Sequence, residues 1–168
     1  MATSRQWLVR LSLLVALLTI AGAVSFVRYA RDHRPNPRLV AVAPFDIFVT
    51  GFEPWRVRLA ERVTEELGAV PPLQAVSQAV VRERWRGQSR PELAAVDLAR
   101  RTSAGLAVYG RLDPIAGRSD SVRIQMIAVD AGTGRVVVRT DRAWAAQGLD
   151  TLARTLAEQV RQDYRYPE

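Results

Sequence analysis

Val122-Arg123-Ile124-Gln125-Met126-Ile127-Ala128-Val129-Asp130-Ala131-Gly132-Thr133-Gly134-Arg135 is the stretch on which the fold turns. Residues 122–130 alternate with the period of a strand: Val122, Ile124, Met126 and Ala128 share one face, and Arg123, Gln125, Ile127 and Val129 the other. Asp130 to Gly134 reads as a turn with two glycines able to take positive φ, and Arg135–Arg142 returns antiparallel. The same turn superficially suggests a phosphate loop. It lies between two strands rather than ahead of a helix, however, and it carries no lysine.

Upstream of this hairpin, Gly105 to Leu112 reads as a strand containing Leu106, Val108 and Tyr109. Ser89-Arg90-Pro91-Glu92 has capping-box spacing and opens a helix through about Arg101. Further back, Leu39-Val40-Ala41-Val42-Ala43 is a short apolar run stopped by Pro44, as a buried strand would be. Trp55, Leu59, Val63 and Leu67 recur every fourth residue while Arg58, Glu61, Arg62, Glu65 and Glu66 cover the other side, which predicts an amphipathic helix. Arg62 and Glu66 stand at i,i+4, and Gly68 supplies a stop. Pro71-Pro72 leads into a second strand at Leu73–Ser77. Downstream, Asp150 is placed to cap a last helix with Leu152, Leu156 and Val160 inside. The expected order is β-α-β-(short α)-α-β-β-β-α. It predicts an α/β (α+β) two-layer sandwich, with a mixed sheet of about five strands, a C-terminal antiparallel hairpin pair and about three helices.

Composition bounds the chemistry. The chain has 168 residues, 24 basic side chains against 17 acidic ones, and a formal net charge of +7. All of the basic residues are arginine, so Schiff-base chemistry and a Walker lysine are excluded. There is no cysteine, which removes disulfides, thiolate nucleophiles and cysteine-ligated metals. The single histidine, His33, sits in a proline- and arginine-rich stretch that is a poor place to position a base. The expectation is therefore no catalytic residues, no cofactor, no metal and no enzyme.

The charge has an address. Residues 1–38 hold Arg5, Arg10, Arg28, Arg31, Arg34 and Arg38 against Asp32, whereas residues 39–168 are almost balanced. These arginines flank Leu11–Val27, a run without a charge. Extended back to Trp7, it is long enough to cross a bilayer, with Arg10 snorkelling toward the headgroups. The chain accordingly divides into a tail (1–6), a transmembrane anchor or uncleaved signal (7–27), an Arg/Pro-rich linker (28–38), one globular domain (39–164) and a tail (165–168). A cleaved leader competes with the anchor, since Ala21-Gly22-Ala23 resembles a small-residue cleavage site. The arginines after the segment favour a cytoplasmic domain by the positive-inside rule, while the signal-like leader favours export. The basic residues point to lipid heads rather than to nucleic acid.

The globular part resembles a known family. Leu39-Val40-Ala41-Val42-Ala43-Pro44-Phe45-Asp46, Leu59-Ala60-Glu61-Arg62-Val63-Thr64-Glu65-Glu66-Leu67 and Val76-Ser77 are similar to the opening of the TolB-like amino-terminal domain. Ala107-Val108-Tyr109-Gly110 and the hairpin stretch quoted above resemble its second half. Two departures are Arg62, where the pattern has glycine, and Val138, where it has an aromatic. The resemblance implies an α/β fold related to periplasmic domains of TolB, FlgO and CsgG, and it transfers no catalytic residues.

One local basic patch stands out in Arg82-Glu83-Arg84-Trp85-Arg86-Gly87-Gln88-Ser89-Arg90. Arg82, Arg84, Trp85, Arg86 and Arg90 form a candidate ligand or partner surface, able to stack on and grip an anion. A solvated helix face with Trp85 turned inward is the competing reading. Asp113, Asp120, Asp130 and Asp141 fall near strand ends but match no calcium loop. Asp46 follows the first strand, where α/β sheets often bind ligands, although a turn-capping role competes. The expectation is a membrane-tethered domain in the inner membrane, facing the periplasm and working through protein contacts in an envelope complex. Homo-oligomerisation is left open. The alternative is a small-ligand or anion sensor at the 82–90 patch.

Overall fold

The computed structural model describes residues 35–87 and 90–164. The expected anchor at 7–27, most of the linker, Gln88, Ser89 and the last tail lie outside them. Among the described residues no helix is long and apolar enough to cross a membrane.

The elements are β1 (Asn36–Val42), β2 (Asp46–Ile47), α1 (Trp55–Gly68), β3 (Gln74–Ala75), α2 (Gln78–Arg84), α3 (Pro91–Thr102), β4 (Ala104–Ile115), β5 (Arg118–Asp130), β6 (Val136–Ala145) and α4 (Leu149–Asp163). The architecture is the α/β arrangement that the pattern predicts: helices on a mixed sheet with order β3-β1-β4-β5-β6. β1 lies parallel to β3 and β4, and β4-β5-β6 runs antiparallel. β2 is a short sixth strand that also lies along β4, in line after β1, pairing Asp46 with Arg111 and Ile47 with Leu112.

The larger core lies on one sheet face, under α1 and α4. It unites Val40, Val42, Leu106, Val108, Ile124 and Met126 with Leu59, Val63, Leu152 and Leu156, all essentially buried. Alternate residues point the other way. There Ala41, Ala43, Ala107 and Val129 meet Ala95, Leu98 and Ala99 of α3 and Val81 of α2. This second cover is partial. Past Tyr109 that face carries Arg111, Asp113, Arg123, Gln125, Arg139 and Asp141 instead, and among the described residues no helix closes over it. A strand buried on both faces must be apolar throughout, and one open on a face can alternate. β4 and β5 do each in turn along their length.

Several local expectations change. β1 starts at Asn36 rather than Leu39, inside the stretch read as linker. The reason is Gly105, where a Cβ would come within 2.5 Å of the Asn36 carbonyl oxygen, so glycine alone lets the β1 backbone pass. The second strand shrinks to Gln74–Ala75. Arg62 pairs with Glu65 at 3.1 Å and not with Glu66, which faces Arg154 at 3.6 Å. α3 has Arg90 at its cap position with Pro91 in its first turn; the expected capping box rests on Ser89, which lies outside the described residues. Gly148, not Asp150, precedes α4, and Asp150 falls in its first turn. In the β5–β6 turn only Gly134 takes positive φ, at 69°. There Asp130 Oδ1 accepts from the Thr133 amide at 2.7 Å.

Gly110 on β4 fixes how the chain leaves β1. A Cβ there would lie 2.4 Å from the ring of Phe45, which is fully buried. Gly110→Ala should therefore destabilise by about 1–3 kcal/mol, as overpacking does. Phe45→Leu in the same chain should return part of that loss. Chemical denaturation of the four members of this cycle measures the coupling. Additive effects would mean that the two positions do not share this space.

Candidate functional site

Pro44 breaks β1, and the chain re-enters the sheet at Asp46 beside β4. Arg56, at the start of α1, clasps this passage. Its backbone carbonyl accepts from the Phe45 amide at 3.2 Å, and its Nε donates to the Phe45 carbonyl at 3.3 Å. Its Nη2 reaches Asp46 Oδ1 at 3.1 Å. The other carboxylate oxygen accepts from the Tyr109 hydroxyl at 2.6 Å. Tyr109 stacks in turn on Trp85, ring centroids 6.0 Å apart and planes 26° from parallel. Four segments distant in sequence thus meet at one carboxylate and one phenol.

Two depressions adjoin this cluster and share Tyr109. One, of about 350 Å3, lies among Asp46, Arg56, Trp85 and Ala94. The other, of about 150 Å3, lies between the start of α3 and the open half of the sheet, with Glu92, Arg111, Gln125, Arg139 and Asp141 in its wall. Charge there is largely matched. Arg123 grips Asp141 with Nε and Nη2, both at 2.7 Å, and Gln125 donates to the same carboxylate at 3.0 Å. This bidentate grip holds the Asp141 carboxyl below the usual carboxylate range and raises Arg123 in return. Arg111 and Asp113 form an ion pair at 2.9 Å.

The five residues of the expected patch are dispersed among different tasks. Arg82 pairs with Glu61 of α1 at 3.1 Å. Arg84 donates to the Arg101 carbonyl at the end of α3. Trp85 is half-buried against the smaller core and walls the larger depression. Arg86 and Arg90 are exposed. Asp46, Arg56 and Tyr109 complete the arrangement around Trp85, and sequence reasoning did not join them. Asp113, Asp120, Asp130 and Asp141 do not converge. Asp113 and Asp141 have arginine partners, Asp120 accepts from Ser121, and Asp130 holds its turn.

Gln78, at the start of α2, is buried and ties three elements together. Its amide donates to the Val42 carbonyl at 2.9 Å and to Thr64 Oγ1 at 2.7 Å. The loop carrying Trp85 is thereby referenced to β1 and α1 as well as to α3.

Comparison of the sequence with protein-family models and with curated proteins finds no match to either. Solved structures do match. TolB from Acinetobacter baumannii aligns with a TM-score of 0.53 at 12% identity, over 78% of this chain and 29% of TolB. The LpoB C-terminal domain from Salmonella enterica aligns at 0.49 and 14% identity, over 65% of this chain and 83% of that domain. Lipoprotein GNA1162 from Neisseria meningitidis aligns at 0.48 and 14% identity, over 77% of this chain and all of that one. The chain spans less than a third of TolB, and at such identities the likeness is one of fold. It agrees with the TolB-like fold that the sequence pattern resembles.

Burial, and then the hydrogen bond to and charge of Asp46, push the Tyr109 hydroxyl well above its ordinary value. The folded state therefore holds that proton more tightly than the unfolded chain does. Its stabilising contribution is complete below the ordinary phenol range and fades as pH rises through the folded value. With no lysine and no cysteine, tyrosines dominate the alkaline titration. Tyr109→Phe should cost about 1–2 kcal/mol at neutral pH, as loss of a charge-assisted hydrogen bond does. It should also flatten the fall in stability above about pH 10, the ordinary phenol value. Denaturation midpoints across that range test this, and parallel curves for the two proteins would refute it.

Proposed function

We propose that this is a non-enzymatic, membrane-tethered domain of a bacterial envelope complex, held in the inner membrane with its globular part in the periplasm and acting through protein contacts. The observation that carries the reading is the Asp46–Tyr109–Trp85–Arg56 cluster. Its polar groups satisfy one another, and its one strongly perturbed group, the Tyr109 hydroxyl, moves away from the range in which acid–base catalysis operates. A rigid, pre-satisfied surface with an aromatic pair at its centre suits recognition of a protein surface. The likeness of fold to TolB supports the envelope setting. The uncharged run at 7–27 supports the tether.

A second reading has its own observation. Arg86 and Arg90 are exposed, and Arg86 stands in the chain between Trp85 and Gly87, two residues that wall the larger depression, which would suit a small anionic ligand.

A photoreactive residue placed at Arg86 or Arg90 of the full-length protein, in its native membrane, separates these readings. Protein contact predicts a discrete adduct from these positions, reduced by Trp85→Ala and absent from the same probe at Arg58 on α1. Equal labelling from all three positions, or none, would defeat the first reading. Thermal stabilisation by inorganic phosphate that disappears in Arg86→Glu/Arg90→Glu would favour the second. A C-terminal reporter fusion reads the orientation independently.

A further inference from the structure

The sheet has two edges of very different character. At one, β3 offers two residues; at the other, β6 offers ten. Among the described residues β6 pairs with β5 alone, which leaves every second backbone N–H and C=O on its outer side free for another strand. We propose that this edge pairs with β6 of a second copy of the chain, antiparallel, about a two-fold axis at Thr140.

The register follows from symmetry and charge. A two-fold axis perpendicular to the sheet keeps each side chain on its own face, so residues that oppose one another must be an even number apart and one residue must face itself. Centring on Arg139, Asp141 or Arg142 would set like charges directly opposite, which destabilises an antiparallel pair. Centring on Thr140 sets Arg139 opposite Asp141 of the second copy, and Asp141 opposite its Arg139. Both pairs lie on the open sheet face. Arg139 is exposed there and has no hydrogen-bond or ion-pair partner within its own chain among the described residues. Asp141 lies on the same face and, beyond its bonds to Arg123 and Gln125, has lone pairs left to accept another guanidinium.

On the opposite face the same register sets Val138 against Arg142. That face carries α4, where Glu158 and Gln159 border the depression that contains Arg142. The bulge where Val136 and Val138 flank Val137 limits regular pairing to residues 138–142, with 143–145 of each copy lying opposite the other's bulge. A centre at Val138 also avoids like charges. It runs the pairing through the bulge, however, and leaves Arg139 facing Val137. The Thr140 register alone keeps the bulge outside the paired segment and matches both charges within it.

Sedimentation of the full chain in detergent should show a monomer–dimer equilibrium. Arg139→Asp and Asp141→Arg should each weaken the dimer by about tenfold or more, since each replaces two attractive cross-strand pairs with repulsive ones. The double variant Arg139→Asp/Asp141→Arg restores opposite charges across the axis and should recover most of the affinity, which a merely structural loss could not do. The chain has no cysteine of its own. Thr140→Cys should therefore form an interchain disulfide on oxidation, and Ala143→Cys should not. A full chain that sediments as a monomer at every concentration reached overturns the proposal. So does a dimer indifferent to both charge changes, or equal crosslinking through residues 140 and 143.

Discussion

The contact between the Phe45 ring and the bare backbone of Gly110 governs the site. β1 is parallel to β4 and ends at Val42, with Pro44 two residues on, so the chain could leave the sheet there. It stays because Phe45 fills the space over β4 that a Cβ at Gly110 would occupy. Arg56 then clasps the Phe45 backbone at both its amide and its carbonyl. With Phe45 seated, Asp46 comes down on the other side of the sheet within reach of Tyr109, the residue before Gly110. One glycine thus decides the position of an aspartate and a tyrosine whose numbers lie far apart.

β4 carries this arrangement because it is the hinge between two kinds of sheet. Parallel β1 binds it over Ala104–Val108, the short parallel β2 at Arg111 and Leu112, and antiparallel β5 from Leu106 to Ile115. The first half needs cover on both faces and receives it from α1 with α4, and from α2 with α3. Tyr109 is where the second cover ends. Its ring belongs to the smaller core, its hydroxyl to the polar half of the sheet, and its stack on Trp85 closes the boundary. An amphipathic side chain is suited to such a boundary, apolar in body and polar at the tip.

Much of the fold was legible because burial imposes periods. The alternation at 122–130 and the four-residue recurrence of Leu59, Val63 and Leu67 survive in the structure with the faces that they predict. What escaped depends on contacts between distant residues. Gly105 moves the start of β1 into a stretch whose composition reads as linker. The capping role of Asp150 rested on local spacing, and helix starts are decided equally by how the preceding chain packs. The patch at 82–90 was visible as a run of arginines. Nothing local announces that Arg82 and Arg84 serve α1 and α3, or that Trp85 belongs with Tyr109. A signal for the polar half did exist in the second set of alternating positions, Arg111 with Asp113, Arg123 with Gln125, and Arg139 with Asp141. It becomes a surface only once the register of three strands is known.

That register also changes the meaning of the arginines. Guanidinium groups stay charged at any pH at which the fold survives, so a chain that uses no lysine has fixed cations wherever it has cations. On the helices Arg62, Arg82, Arg101 and Arg154 are paired within the molecule, with Glu65, Glu61, Asp97 and Glu66. On the open sheet face Arg111 and Arg123 are paired in the same way, with Asp113 and Asp141, while Arg139 is exposed. Arg111 and Arg123 are oriented by carboxylates, which lowers the entropy lost when either meets a further group. A fixed cation oriented by its neighbours is better suited to a rigid, directional partner than to a diffuse one. Within the described domain, guanidinium groups oriented in this way stand on the uncovered half of the sheet, at Arg111 and Arg123.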